Sequence, residues 1–321
     1  YAEGINVFLI IFSNSMNLLN YNHSIRSLFI LSGRLYQKNI IPILFLTATL
    51  IAPAFLIGFA EWGETESILF FLSVHLLEGA ITLGVIGKAF GSYFPSLGIL
   101  RAFRSPLFLG AIHVAILQYL LFITGVIGLR LAFPFSILLV SLWLVGLLLT
   151  SMAQPAFIVE GVRGIRAMLT SIRLARGDLS RVFVVVVIST IMQFFVFALL
   201  FTLFMPDLNL NIDQNDNEAL PFNLSEILSD PGIHQAIRWT QYLASLLFYP
   251  FASLLTCLLY FNLAQRQQVL NVDQLAKFSN QLFGTPLAGT AEPASPDDEE
   301  VIEPTDVEIL DPDPSEEDKD K

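Results

Sequence analysis

The sequence predicts an all-α fold, a polytopic integral membrane protein with six transmembrane helices, amphipathic interfacial helices and a three-fold repeat of one interfacial helix followed by two spans. Hydrophobic residues make up 54% of the 321 residues and charged residues only 14%, whereas soluble domains carry about 25% charge. The mean hydropathy is +0.65, and the apolar residues are gathered in long segments. Because a soluble fold of this size could not bury so much apolar surface, we predict a lipid environment.

Six segments are long and apolar enough to cross the hydrocarbon core of a bilayer. That core is about 30 Å thick and a helix rises about 1.5 Å per residue, so a span needs about 20 residues. Backbone polar groups in lipid must be paired within the segment, which favours helices here. The predicted spans are about 40–60, 68–90, 107–128, 131–152, 182–205 and 237–262.

The distribution of charge predicts the orientation of these spans. If the N-terminus lies in the cytoplasm, the cytoplasmic segments contain most of the Lys and Arg residues, and the outer segments contain only Arg130 and Arg238. This asymmetry is typical of multi-pass proteins. We therefore predict a multi-pass protein with both termini in the cytoplasm and one large outer loop at 206–236.

The two ends of the chain differ in character from the membrane domain, which we place at 22–284. Residues 1–21 are interpreted as an N-terminal extension, with Met16 as an alternative start of the protein. Residues 285–321 are rich in Pro, Asp and Glu and poor in apolar side chains. Ordering such a segment buries too little apolar surface to offset the lost entropy, so we predict a disordered acidic cytoplasmic tail.

A basic stretch of similar composition precedes the first, third and fifth predicted spans. These stretches, at 24–38, 96–104 and 161–181, are the basis of the predicted repeat. In the third stretch, apolar residues at helical spacing lie beside a stripe of arginines, which is typical of a helix in the membrane interface. The alternative is an ordinary loop whose arginines only follow the charge asymmetry. The apolar positions are Val162, Ile165, Leu169 and Ile172, and the predicted contacts for anionic lipid headgroups are Arg163, Arg166, Arg173 and Arg176.

Two stretches of the sequence resemble a bacterial family. The first, PAFIVEGVRGIRAMLTSIRLARGDLSRVF (155–183), has a proline, a Glu-Gly pair, a basic amphipathic helix and an Arg-Gly-Asp-like turn. The second, YPFASLLTCLLYFNLAQRQQVLNVDQL (249–275), has a proline, a Leu-Tyr-Phe triplet and a polar exit from the final helix. Both are similar to the membrane domain that accompanies some bacterial glycerophosphoryl diester phosphodiesterases and also occurs alone. The matching positions include Pro155, Glu160, Gly161, Gly177, Pro250 and Tyr260.

This resemblance implies a membrane architecture, a location in the inner (cytoplasmic) cell membrane and a link to lipids. The family's hydrolase resembles a soluble barrel with a metal-binding His, Glu and Asp set, whereas this chain has four scattered histidines and no soluble segment of that size. We therefore expect the stand-alone membrane domain, with a separate lipid-processing enzyme as a partner. One departure is that Asn262 and Gln265 stand where the family tends to place charged residues. We interpret Glu160 as a carboxylate at the start of a helix, where the helix dipole favours negative charge. The alternative is a contact of Glu160 with a headgroup or another ligand.

The second predicted span carries ionisable residues that are unusual at its depth. His75, Glu78 and Thr82 follow one another at i, i+3 and i+7 and share one face near the middle of the membrane. Ionisable groups there cost about 2.5–3.5 kcal/mol on insertion scales, which makes them candidates for function. We hypothesise that His75 and Glu78 bind a polar group or relay a proton. Alternatively, they satisfy each other, or bond to His113 and Gln118 of the third span as polar contacts between helices.

No sequence motif specifies a reaction. The sequence contains no P-loop, zinc-protease motif, dinucleotide fingerprint, paired-cysteine metal site or nucleophile elbow. We predict no catalytic residues, no metal ligands, no cofactor and no nucleic-acid partner. The predicted function is a non-enzymatic, lipid-associated role in lipid binding, homeostasis or support of a lipid-processing partner. The two alternatives are a small-solute transporter that uses the His/Glu site and a scaffold that recruits partners through its acidic tail.

Overall fold

The computed structural model describes residues 23–59, 63–90, 94–102, 106–162, 164–204 and 231–283. These residues form α-helices joined by short turns, and the part of the chain that is described contains no β-strand. Six of its helical segments are long and apolar enough to cross a membrane. The predicted fold class, an all-α protein with six spans, is therefore confirmed.

Long and short helices follow one another along the chain. The long helices are α2 (Ile40–Phe59), α3 (Gly63–Phe90), α5 (Pro106–Arg130), α6 (Phe135–Thr150), α9 (Leu179–Phe204) and α10 (Pro231–Arg266). The short helices are α1 (Ile25–Lys38), α4 (Ser96–Ala102), α7 (Ala153–Glu160), α8 (Ile165–Gly177) and α11 (Val272–Phe283).

The fourth and sixth spans differ from their predicted bounds. The fourth, predicted at 131–152, begins only at Phe135, because Pro134 occupies the cap position and has no N–H to continue a helix backwards. The same apolar segment then continues through a turn into α7. The sixth begins at Pro231, inside the predicted outer loop 206–236. Proline is favoured in the first turn of a helix, so this start is consistent with the sequence.

Helices α3 and α10 form the centre of the bundle. In each of them 61% of the apolar segment is buried, against 11% in the segment of α6 and α7 and 11% in α9. α10 packs against α1, α2, α3 and α9, whereas α6 packs chiefly on α5. The central helices are therefore fixed from several sides, while α6 and α9 present apolar faces suited to lipid.

The short helices lie at one end of the bundle, which we call the basic end. Each long helix crosses the bundle and the next one returns. The last residues of α3, α7 and α10 and the first residues of α2, α5 and α9 therefore lie at the basic end. At this end, Phe283 of α11 lies beside Gly87 of α3 and Gly98 of α4. The described Lys and Arg residues here are Arg26, Arg34, Lys38, Lys88, Arg101, Arg166, Arg173, Arg176, Arg181, Arg266 and Lys277.

Three of the short helices pack on the bundle in the same way. Each turns residues at i, i+4 and i+7 inwards, with a serine in the middle. In α8, Ser171 Oγ donates to the main-chain oxygen of Leu149 at 2.7 Å and accepts from the amide of Met152 at 3.1 Å, which ties α8 to the end of α6. The inward residues are Leu28, Ser32 and Leu35 in α1, Ala167, Ser171 and Leu174 in α8, and Leu275, Ser279 and the half-buried Leu282 in α11.

The order of the elements agrees with the predicted repeat. Helices α1, α4 and α8 directly precede the spans α2, α5 and α9, whereas α7 and α11 were not expected from the sequence. Four predictions lie outside the described residues: the extension at 1–21, the outer loop up to residue 230, the tail at 285–321 and the headgroup contact of Arg163.

Candidate functional site

A cavity with polar side chains in its lining lies in the middle of the bundle, and we call it the mid-span cavity. Its volume is about 220 Å³, and α3, α5, α6, α9 and α10 all contribute side chains. Ten of its fifteen lining residues are polar, although the spans that form it are strongly apolar. Polar groups cluster in a membrane bundle where they bind one another, water or a ligand.

His75 and Glu78 lie on the wall that α3 contributes. Glu78 is 8% exposed, and its Oε2 atom lies 3.5 Å from Nδ1 of His75. This separation is longer than an N–H···O hydrogen bond, which spans about 2.7–3.2 Å. The His75 ring also packs on Phe71, with the ring centroids 4.4 Å apart. The two groups are close enough to interact, but hydrogen-bonding capacity remains for a ligand.

Gln118 of α5 presents an unpartnered acceptor to the cavity. Its side chain is buried at 3% exposure, and Nε2 donates to the main-chain oxygen of Thr150 at 3.0 Å, which joins α5 to α6. Its Oε1 atom has no hydrogen-bond partner among the described residues. A buried acceptor in that state costs about 1–3 kcal/mol, which a water or a ligand donor would relieve.

The cavity lies near the middle of the spans. Glu78 is eleven residues from Ser67 and twelve residues from Phe90, the two ends of its span. At about 1.5 Å per residue, both ends are therefore roughly 17 Å away.

The cavity opens sideways between α6 and α9. Both helices line it, yet they touch each other only slightly. Thr190 of α9 is exposed at the rim, whereas Gln118 on the opposite wall is buried. Because α6 and α9 are also the least buried of the spans, the opening faces the surface that lipid would cover.

The structure brings together three of the five residues predicted for the intramembrane site. His75, Glu78 and Gln118 line the cavity. Thr82 is fully buried and its Oγ1 donates to the main-chain oxygen of Glu78 at 2.9 Å, a bond within α3. His113 is exposed, with its ring beside Gly164 at the start of α8. It lies outside the cavity lining, so it does not belong to this cluster.

Sequence analysis missed the cavity residues that α9 and α10 contribute. Tyr249, Ser253 and Thr256 of α10 and Ser189 of α9 line the cavity. The α10 residues recur at i, i+4 and i+7, and this spacing indicates a polar stripe on one face of the sixth span. Beside the cavity, Gln193 Nε2 donates to the Tyr249 hydroxyl at 3.0 Å and ties α9 to α10.

A second polar cluster, which we call the basic-end network, joins α7, α8, α9 and α10. The Tyr260 hydroxyl donates to Glu160 Oε1 at 2.8 Å, and Thr170 Oγ1 donates to Glu160 Oε2 at 3.3 Å. The interpretation of Glu160 as a helix-start carboxylate is wrong, because Glu160 is the last residue of α7. Gly161 follows with φ +66°, a left-handed conformation that suits glycine and ends the helix.

Asp178 is the centre of the other half of this network. Its Oδ1 accepts from the amide of Arg181 at 3.4 Å, so Asp178 caps the start of α9. Its Oδ2 lies 3.3 Å from Nε of Arg181 and 3.0 Å from Nη1 of Arg266. Arg181 also donates to Oδ1 of Asn262 and, at 2.9 Å, to the main-chain oxygen of His23. The charges of this cluster are therefore paired on several sides.

The basic-end network joins the two stretches that carry the family resemblance. Residues 155–183 supply Glu160 and Asp178, and residues 249–275 supply their partners in α10. The other family-like positions are Pro155, buried in α7, Gly161, Gly177, where a Cβ would meet the Gln267 side chain, and Pro250, inside α10.

The predicted headgroup contacts that are described lie on the exposed face of α8. Arg166, Arg173 and Arg176 are exposed. Ile165 and Leu169 lie among them and are 63% and 54% exposed. Both the apolar residues and the arginines therefore face outwards, while smaller side chains pack on the bundle. That combination is typical of a helix in the membrane interface.

The fold and these clusters define a class, the six-span helical membrane proteins, here with a polar cavity that opens sideways at mid-depth. Within the described ranges, no group of three or more His, Cys, Asp or Glu side chains could bind a metal ion. In comparisons with models of protein families, with curated proteins and with solved structures, the chain matches none. The resemblance to the phosphodiesterase-associated membrane domain therefore stays a prediction.

Proposed function

We propose that this chain is a non-enzymatic membrane protein that binds membrane lipids, and that the mid-span cavity takes the polar head of a lipid-like ligand. The observation that supports this most is the position of Glu78 and Gln118, two buried polar groups, in a cavity that opens between α6 and α9. A ligand that enters there arrives from the hydrocarbon. It needs an apolar chain to dissolve in the bilayer and a polar head to bond inside.

The size of the cavity supports a polar head and not a whole lipid. Pockets for drug-sized ligands measure about 300–1,000 Å³, and the mid-span cavity measures about 220 Å³. The acyl or alkyl chain would stay outside, against apolar side chains on the outer faces of α6 and α9. These include Leu138 and Leu142, at 67% and 60% exposure, and Phe194 and Phe195, at 72% and 67%.

The exposed face of α8 is a second proposed contact with lipid. Arginines beside an anionic membrane surface contribute about 1 kcal/mol each, and the flanking Ile165 and Leu169 can enter the apolar boundary. Because most described Lys and Arg residues lie at the basic end, we place this end and both termini in the cytoplasm. The inner (cytoplasmic) membrane of the cell is the proposed location.

The family resemblance adds a proposal about partners. A separate lipid-processing enzyme would act on the lipid that this chain binds or presents. The acidic tail at 285–321 is the alternative site for recruiting a partner, and removing it would abolish recruitment while leaving lipid retention unchanged. A co-purification experiment with and without the tail separates the two proposals.

A small-solute transporter is the second candidate function. Ionisable groups at mid-membrane commonly lie on substrate or proton pathways, and His75 and Glu78 form such a pair at 3.5 Å. In liposomes that contain the full-length protein, a transporter would lose solute flux when Glu78 is replaced by Gln. Unchanged flux across a panel of solutes would favour lipid binding.

Two buried glutamines provide a matched test of lipid binding. Gln118 and Gln154 each donate from Nε2 to a main-chain oxygen, of Thr150 at 3.0 Å and of Ala111 at 2.9 Å. Each leaves its Oε1 without a partner among the described residues. Only Gln118 lines the mid-span cavity. The substitutions Gln118→Leu and Gln154→Leu therefore remove equivalent groups inside and outside the site.

The measurement is mass spectrometry of the lipids that the purified full-length protein retains. We expect one lipid class to be enriched over its bulk proportion in the wild type and in Gln154→Leu, and the enrichment to be lost in Gln118→Leu. Lipids in bulk proportion in all three proteins would contradict the proposal. Equal enrichment in all three would place the bound lipid elsewhere on the molecule.

The α8 contact has its own test. We expect the triple variant Arg166→Gln, Arg173→Gln, Arg176→Gln to lose retained anionic lipid, because its exposed charges no longer attract anionic headgroups. Arg130→Gln, at the opposite end of the bundle, is the control and should retain it. If the triple variant and Arg130→Gln retain equal amounts of anionic lipid, the exposed face of α8 is not a lipid contact.

A further inference from the structure

We infer that the mid-span cavity selects a ligand whose head group donates hydrogen bonds and carries no negative charge, an amine or an alcohol, in preference to a phosphate. This inference rests on the proposed function, because it names the chemistry of the head that the cavity takes. It also distinguishes the cavity from the exposed face of α8, where arginines favour the opposite charge.

Two buried side chains of the lining, Glu78 and Gln118, present acceptors to the cavity. Glu78 offers carboxylate oxygens whose nearest ionisable neighbour is His75, at 3.5 Å. Gln118 offers Oε1, which has no partner in the described part of the chain, while its Nε2 donor is already bonded to the Thr150 carbonyl. An O–H or N–H group can satisfy these acceptors, whereas a doubly ionised phosphate monoester or an ionised phosphodiester has no proton to donate.

Several hydroxyl donors around the cavity are already used. Thr150, Ser151 and Thr190 each donate to a main-chain oxygen three or four residues earlier in their own segment, at 2.8–2.9 Å. They keep only lone pairs for a ligand, which adds acceptors to the lining. The hydroxyls of Ser189, Ser253 and Thr256 can still either donate or accept. The Tyr249 hydroxyl accepts from Gln193 and can still donate, so none of these four groups excludes either kind of head.

The charges of the lining point to the same preference. The fifteen lining residues include no Lys or Arg. His75 is the lining side chain that can become cationic, and its charge would be offset by the Glu78 carboxylate 3.5 Å away. A phosphate would bring a further negative charge beside Glu78 with no cation to compensate it. In a site of low dielectric that arrangement is strongly unfavourable.

The test uses three amphiphiles that share one alkyl chain length and differ in the head: dodecylamine, monolauroylglycerol and dodecyl phosphate. Binding to the full-length wild-type protein in a neutral detergent is measured by titration with native mass spectrometry. We expect the amine or the glycerol ester, or both, to bind at least about tenfold more tightly than the phosphate, a difference in Kd that the titration resolves. The comparison of dodecylamine with monolauroylglycerol shows whether the cavity prefers an amine or an alcohol as the donating head.

The variant Glu78→Gln tests whether the negative charge of Glu78 contributes to binding of the amine. This variant should weaken amine binding about tenfold or more, because it removes the negative charge, and should leave the glycerol ester within about threefold, because an amide oxygen still accepts. Gln154→Leu should leave both unchanged. Since the three heads are first compared on the wild type, the outcome does not depend on the folding of a variant.

Two results would overturn the inference in different ways. If dodecyl phosphate binds as tightly as the other two amphiphiles, the preference for a donating head is wrong, while lipid binding in the cavity stands. If none of the three binds, the proposed function fails as well, and the cavity holds only water.

Discussion

The basic-end network and the mid-span cavity are built from similar side chains but differ in how completely these are paired. In the network, Asp178 contacts Arg181, Arg266 and a helix amide, and Glu160 accepts from two hydroxyls. In the cavity, Glu78 has His75 at 3.5 Å and Gln118 Oε1 has no described partner. Both clusters join several helices, so the number of helices that meet at a cluster does not account for the difference.

This contrast separates two uses of polar groups in an apolar bundle. Buried polar groups are normally hydrogen-bonded, and each exception requires an explanation. A paired carboxylate stabilises the helices that share it, whereas an incompletely paired one costs free energy that packing elsewhere must offset. The network therefore has the properties of a cluster that stabilises the contacts between helices. The cavity has the properties of a site in which a ligand supplies the missing hydrogen bonds. Four substitutions test this division.

The largest effect is expected for Arg181→Met in the network. Its side chain is 13% exposed and pairs with Asp178 and Asn262, so its loss removes one of the two cations beside Asp178 and the hydrogen bond to Asn262. We expect a loss of about 2–3 kcal/mol and a drop in unfolding temperature of roughly 5–10 °C. Unfolding can be followed by thiol labelling, because Cys257 is the lone cysteine and is fully buried. The exposed Arg173→Met is the control, and equal drops in both variants would contradict a structural role.

The next effect is expected for Tyr260→Phe. The Tyr260 hydroxyl donates to Glu160 at 2.8 Å, and a hydrogen bond to a charged group contributes about 1.5–3 kcal/mol. The unfolding temperature should fall by several degrees while retained lipid is unchanged. Tyr119→Phe is the matched control, since the Tyr119 hydroxyl makes no hydrogen bond within the described residues. Loss of retained lipid in Tyr260→Phe would link the network to the site.

Gly125→Ala should act on the wall of the cavity. A Cβ at Gly125 of α5 would overlap the ring of Trp143 of α6, and such overpacking costs about 1–3 kcal/mol. Displacement of α6 should also reduce retained lipid, which distinguishes this variant from Tyr260→Phe. Gly33→Ala is the control, because no atom lies within 4 Å of its added Cβ. In the middle of a helix that change should stabilise by about 0.5–1 kcal/mol.

The smallest effect on stability is expected for Glu78→Gln. Removing an incompletely paired charge should change the free energy of unfolding by less than about 1 kcal/mol, with the unfolding temperature unchanged or raised. Retained lipid should nevertheless change, because the head group loses its carboxylate partner. If Glu78→Gln lowers the unfolding temperature as much as Arg181→Met does, the cavity and the basic-end network do not differ in their contribution to stability, and the cavity residues have a structural role.

The fold was predictable from the sequence because crossing a bilayer requires long apolar helices whatever their partners. For that reason α5 (Pro106–Arg130) lies within two residues of its predicted span at both ends, and α3 ends at Phe90 as predicted, although it begins at Gly63, five residues before the predicted start. The His75–Glu78 pair was found because ionisable residues are rare in apolar segments. In α10, by contrast, the polar stripe includes Ser253 and Thr256. Serine and threonine are common in membrane helices, so these two residues do not distinguish a site from an ordinary span.

Contacts between distant segments could not be read from the sequence. Glu160 and Tyr260 are 100 residues apart, and their hydrogen bond depends on the order in which the helices pack. The role of Glu160 was assigned wrongly because the sequence does not show that a left-handed glycine ends α7 before α8 begins. His113 was grouped with His75 by residue type, but its place along α5 puts it outside the cavity lining.

If the proposed ligand enters sideways between α6 and α9, its concentration within the bilayer, and not its concentration in water, governs how often the mid-span cavity is filled. A ligand that enters from the bilayer is already enriched there by its own chain, so its mole fraction among the lipids sets how often the site is filled. A modest intrinsic affinity is then enough, and exchange can proceed by diffusion within the membrane plane. The occupancy of such a site would report the composition of the surrounding leaflet, and it would fall as detergent dilutes that leaflet during extraction.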